Sequence, residues 1–165
     1  AAMILVVTGI FVSHATAATP PSVITALIGS WRGAGTAKSH ADAAPEAVTC
    51  KARYKLMDGE NTLRVEVTCA AANGKGKLVG FIKYTENSDQ IHGNWFRKWS
   101  TSEGEENGTF TGTISSSSVQ LNVSAAGKVR AHLTLSPKTS TSHEVSLVGI
   151  VDGKPEQGMN ITFRH

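Results

Sequence analysis

The sequence predicts an all-β protein, an antiparallel up-and-down meander that closes into a small barrel of about eight to ten strands. Two observations predict this fold. Apolar and polar residues alternate along consecutive short segments, as they do in strands with one buried face. Turn-forming pairs such as Asn73-Gly74 and Asp152-Gly153 separate these segments closely enough for hairpin connections. A meander with such short links favours an up-and-down barrel, which leaves no strand edge exposed.

The predicted strands follow one another along residues 26–165, which we assign to one barrel domain. At most one helical turn is expected near residues 22–28. Glycines inside the strands, such as Gly80 and Gly93, suit the sharp bends of a small barrel. The strands are expected at 26–38, 46–57, 62–71, 77–84, 90–99, 108–115, 119–124, 128–135, 144–151 and 159–164.

The first predicted hairpin has a register that its own sequence defines. Folding it about the turn DGEN places Tyr54 opposite Val65 and Cys50 opposite Cys69. Directly opposed residues in an antiparallel pair have Cβ atoms about 4.5–5.5 Å apart, close to what a disulfide needs. We therefore predict a structural disulfide between Cys50 and Cys69 on the apolar face. Such a bond indicates an oxidising compartment.

The N-terminal residues have the pattern of a secretory signal peptide. An apolar run from Met3 to Val12 is followed by small residues that are typical of a cleavage zone. A run of about ten residues is too short to span a bilayer, which takes roughly 20. We expect residues 1–18 to be part of a signal peptide and 19–25 to be a linker. The protein is then exported to the periplasm or the extracellular space, without a membrane span.

The first predicted strand contains a Gly-x-Trp motif formed by Gly29 and Trp31. In this motif and in its meander of strands, the chain resembles the calycin group of lipocalins, fatty-acid-binding proteins and avidins. The resemblance implies that Trp31 closes the barrel floor and that Arg164, near the end of the last strand, packs across its ring. Both residues would be structural. The whole pattern is also similar to that of small exported proteins of Gram-negative bacteria.

The strand at residues 91–99 holds the strongest candidate for a binding site. Alternation places Trp95, Arg97 and Trp99 on one face, where two indole rings and a guanidinium could hold a flat or anionic ligand. The same side chains could instead cover the barrel exterior or an oligomer contact. The predicted interior pocket is lined by Tyr54, Val65, Trp95 and Trp99, with Arg97 at its mouth.

Other chemistries find little support in the sequence. The histidines are far apart and the cysteines are paired, so neither a metal site nor a cofactor is predicted. No nucleophile motif marks a catalytic serine, and we do not expect an enzyme. The formal charge is only +3, with basic residues interspersed among acids, which argues against nucleic-acid binding.

The sequence therefore predicts an exported β-barrel binding protein for a small apolar or aromatic ligand, present as a monomer or a small homo-oligomer. The alternative is an envelope-associated or inhibitor-type interaction protein, with a filled barrel and no ligand. The two differ in whether the barrel interior is open or packed, because an eight-stranded barrel can be either.

Overall fold

The computed structural model describes residues 19–38, 42–72, 74–100 and 104–165. It contains one short helix followed by ten strands. The elements are α1 (Ser22–Leu27), β1 (Gly29–Ala37), β2 (Glu46–Leu56), β3 (Thr62–Ala71), β4 (Gly74–Tyr84), β5 (Gln90–Trp99), β6 (Glu105–Ile114), β7 (Val119–Ala125), β8 (Lys128–Thr139), β9 (Ser142–Val151) and β10 (Lys154–Arg164).

The ten strands form one closed antiparallel barrel. Each strand pairs with its neighbours in sequence, and β1 pairs with β10 to complete the ring. The predicted all-β meander and its closure are therefore confirmed, and the barrel is consistent with a calycin-like shape. Closure removes both sheet edges, so every strand has a partner on each side. The first strand begins three residues later than predicted, at Gly29, because the preceding residues form α1.

The hairpin of β2 and β3 has the predicted register. Tyr54 lies opposite Val65 and Cys50 lies opposite Cys69, and the two cysteines form a disulfide. Cys50 is buried and Cys69 is partly buried on the inner face of the barrel. The bond points to an oxidising compartment. The predicted signal peptide, residues 1–18, lies outside the described residues.

Helix α1 covers the end of the barrel at which β1 begins. It has six residues and no side-chain N-cap, and a helix this short is not stable by itself in water. Its apolar side chains Val23, Ile24 and Leu27 are buried in the same core cluster as the barrel residues. Part of the predicted linker 19–25 is thus an end cap. Within the residues that the structure describes, no helix is long and apolar enough to cross a membrane.

Aromatic rings fill the barrel interior next to inward-facing glycines. A Cβ atom added at Gly33 would lie 2.7 Å from the Phe163 ring, and one at Gly80 would lie 2.9 Å from the Phe110 ring. These distances are shorter than van der Waals contact, so each ring occupies the space that a side chain at the glycine would need. The interior is packed because small and large residues alternate across facing strands.

Substituting Gly80 tests this packing. We expect Gly80→Ala to lower the free energy of unfolding by about 1–3 kcal/mol, because the added methyl group overpacks the core against Phe110. Urea denaturation of the purified protein measures the change. The matched control is Gly104→Ala, since a Cβ at Gly104 meets nothing within 4 Å. A Gly80→Ala variant as stable as the control would contradict the packed interior.

Candidate functional site

Three of the residues predicted to line an interior pocket lie together in the core. Tyr54 pairs with Val65, Val65 with Gly80, and Gly80 with Trp95, so they form one inward row across β2 to β5. The exposed fractions of Tyr54, Val65 and Trp95 are only 2%, 7% and 6%. These side chains belong to one buried cluster with the other core residues.

The other two predicted residues lie further along β5. Arg97 is half exposed and forms an ion pair with Glu106, which is directly opposite on β6. Its guanidinium is therefore already balanced by a carboxylate at the rim of the barrel. Trp99 ends β5 opposite Gly76, and its side chain lies outside the described part of the chain.

Trp31 lies at the end of the barrel that α1 covers. Its indole Nε1–H donates a hydrogen bond of 2.8 Å to the backbone carbonyl of Leu27, the last residue of the helix. Its ring meets the ring of His143 edge to face, at 4.5 Å between centroids. A second histidine, His165, lies across it at 3.8 Å. These contacts place Trp31 between the helix, β9 and the end of the chain.

Arg164 does not lie across Trp31 as the resemblance implied. It is exposed and pairs with Arg32 in the register of β1 and β10, whereas the preceding residue, Phe163, is buried. Side chains alternate along a strand, so Arg164 has to point outward. His165 follows the end of β10, where alternation no longer applies, and its ring is the one that packs against Trp31.

A buried histidine, which the sequence did not single out, lies beside Tyr54. His143 is 0% exposed, and its ring stacks on Phe163 at 4.9 Å between centroids. Its Nε2 shares a hydrogen bond of 3.1 Å with the hydroxyl of Tyr54. Its position on the same strand face as Val145 was the signal that could have identified it as a core residue.

Burial controls the ionisation of this pair. It lowers the pKa of His143 to about 4, with a smaller electrostatic contribution from the neighbouring His165. Burial also raises the pKa of Tyr54 well above its ordinary value. Both side chains are therefore neutral at physiological pH. His143 Nδ1 and Trp95 Nε1 are buried without a hydrogen-bond partner among the residues described.

On the outer face, the strand register aligns cations that are separated in sequence. Arg164, Arg32 and Lys51 are directly opposed on β10, β1 and β2. The same line crosses Thr68 on β3 and continues to Lys77 on β4 and Lys98 on β5. We call the five cations the basic row. Within the described ranges, only Lys98 of this row pairs with a carboxylate, that of Glu105 at 3.6 Å.

A groove of about 340 Å³ lies along the basic row on β1 to β3. Among the side chains that line it, only Glu66 carries a carboxylate, which Arg64 already binds. Along the sequence these cations are interspersed with acidic residues. Only the register of the paired strands shows that they lie side by side. The residues lining the groove are Ser30, Trp31, Arg32, Lys51, Ala52, Arg53, Glu66, Thr68 and His165.

Comparison with known proteins adds no family to this description. No protein-family model matches the chain, and no curated protein matches it in sequence. The described ranges also contain no group of three or more His, Cys, Asp or Glu residues that could hold a metal ion. The fold and its two faces therefore define the protein as a small closed β-barrel with a buried apolar core and a basic outer groove.

The buried His143 predicts a loss of stability in mild acid. Its pKa is about 4 in the folded state and 6.5 when unperturbed, so between these values only the unfolded chain takes up the proton. The free energy of unfolding should therefore decrease below pH 6.5 by about 1.4 kcal/mol per pH unit. The total decrease near pH 4 is about 3 kcal/mol.

Urea denaturation of the wild type and of His143→Gln, between pH 7 and pH 4, measures this loss. The carboxylates titrate alike in both proteins, so the difference in unfolding free energy isolates the histidine. We expect the wild type to lose stability relative to the variant as the pH falls. A difference that stays constant with pH would contradict the assignment.

Proposed function

We propose that the protein is an exported interaction protein whose filled barrel acts as a rigid scaffold and whose outer surface binds a partner. The observation that carries this proposal is the packed interior, in which Tyr54, Val65 and Trp95 are almost entirely buried. A binding protein of this kind performs no chemistry of its own, in line with the sequence-based expectation of no enzyme. The disulfide supports a location outside the reducing cytoplasm.

A ligand inside the barrel would need room that the core side chains now occupy. Pockets for small molecules usually measure about 300–1,000 Å³. An interior pocket of that size would require the rings of Phe110, Trp95 and Phe163 to leave their places. Each ring lies within 3 Å of the position that a Cβ would take at an inward glycine, namely Gly80, Gly108 and Gly33. Displacing these rings would sacrifice their core packing, and the loss of one buried Phe or Trp side chain costs about 3–5 kcal/mol.

A second candidate function is the binding of a small aromatic or apolar ligand inside the barrel. One observation favours it: the indole N–H of Trp95 is buried without a hydrogen-bond partner in the described part of the chain. Buried donors generally find an acceptor. A ligand with an acceptor atom beside Trp95 would supply one, provided that the surrounding rings rearranged.

Ligand titration separates the two candidates. We expect no saturable one-to-one binding when the protein is titrated with cis-parinaric acid or 1-anilinonaphthalene-8-sulfonate and ligand fluorescence is measured. Native mass spectrometry of the protein purified from its expression host should give the mass of the chain alone.

Two variants locate any binding that does occur. Trp95→Leu alters the interior, whereas Phe96→Leu alters a neighbouring side chain that is 43% exposed on the outer face. Saturable one-to-one binding that Trp95→Leu abolishes and Phe96→Leu retains would overturn the filled-barrel proposal and establish the interior ligand instead.

A further inference from the structure

We propose that the basic row and its groove bind an acidic polysaccharide, a chain of sugars that carry sulfate, phosphate or carboxylate groups. The inference rests on the proposed function, because it names the partner that the outer surface would bind. It starts from the three cations Arg164, Arg32 and Lys51, which occupy adjacent strands at the same level.

Without a bound anion, the arrangement of these cations destabilises the barrel. Arg32 has a cation directly opposite it on each side, Arg164 on β10 and Lys51 on β2. Directly opposed residues have Cβ atoms about 5 Å apart, and like charges at that distance are destabilising. In the neighbouring row Arg53 lies opposite a carboxylate, that of Glu66, whose ion pair is with Arg64. A bound anion would remove the repulsion that the basic row retains.

The groove offers the donors that an oxyanion requires. The guanidinium groups of Arg32 and Arg53 can donate paired hydrogen bonds to a carboxylate, sulfate or phosphate. Ser30 and Thr68 line the same groove, and their hydroxyl groups can form hydrogen bonds with sugar hydroxyls. The charge of Glu66 is offset by Arg64, so the groove keeps its positive character.

The shape of the basic row favours a flexible sugar chain over the other common polyanions. From β10 to β4 the row crosses four strand spacings of about 4.8 Å around a curved wall. A flat membrane would meet only part of that arc, and duplex DNA, with a persistence length of about 50 nm, is too stiff to follow it. Single-stranded nucleic acid binds by stacking its bases on exposed aromatic rings. Of the two rings in the groove, Trp31 is buried and His165 packs against it.

Fluorescence anisotropy with a labelled dextran sulfate oligosaccharide tests the inference on the full chain. The row variant carries Arg32→Ser, Lys51→Ser and Arg164→Ser. The control variant carries Lys128→Ser, Arg130→Ser and Lys154→Ser, which remove the same charge from exposed positions outside the row. We expect the row variant to raise the dissociation constant at least tenfold and the control variant less than threefold, with no binding of uncharged dextran.

Stability and salt dependence provide independent readouts. The row variant should unfold at the same temperature as the wild type or higher, because it loses repulsion and no packing. Its dissociation constant should also depend less steeply on salt concentration, since fewer ions are released on binding. A row variant that unfolds at a lower temperature would contradict the repulsion on which the inference depends.

Several outcomes would overturn the inference. These are equal weakening in both variants, tighter binding of a 20-nucleotide single strand or of phosphatidylglycerol vesicles, and sulfate alone binding as tightly as the oligosaccharide. Absence of polysaccharide binding would overturn it too, while the filled-barrel proposal would stand as long as apolar ligands stay outside. One-to-one binding of an apolar ligand in the interior would instead overturn the proposed function, whatever the polysaccharide result.

Discussion

The barrel depends on the contacts that Trp31 makes at its covered end. Its indole N–H holds the last carbonyl of α1, and its ring packs between His143 of β9 and His165 at the end of the chain. One side chain thus links the helix, the first strand and the segment that follows the last strand. The pairing of β1 with β10 brings these parts together, and Trp31 seals the place where they meet. Without that seal, the apolar side chains of α1 and the buried His143 would be exposed to water.

A sealed floor and a packed interior have a common consequence for function. His143 is neutral at physiological pH because burial lowers its pKa, and its partner Tyr54 belongs to the same row as Val65 and Trp95. Side chains that fill a barrel in this way contribute to stability, and we propose that recognition takes place on the outer face. On that face Arg164, Arg32 and Lys51 lie directly opposite one another, and the proposed partner is inferred from this arrangement.

The sequence predicted the architecture well because the relevant signals are local. Strand alternation, turn residues and the Cys50–Cys69 register each involve residues that are near one another in the chain. Predicting the site required information about residues that are far apart in the sequence. Alternation showed that Trp95 points inward but not that neighbouring rings fill the space around it. The basic row requires the register of β10 with β1, which joins Arg164 to Arg32 across the whole chain. The ring of His165 was missed because it follows the last strand, where alternation ends.

The packed interior is tested most directly by diffraction from a crystal of this protein pressurised with xenon. Xenon enters apolar cavities large enough to hold it and gives strong electron density there. We predict no xenon site inside the barrel among Tyr54, Trp95 and Phe110. A well-occupied xenon atom enclosed by these side chains would contradict the filled barrel.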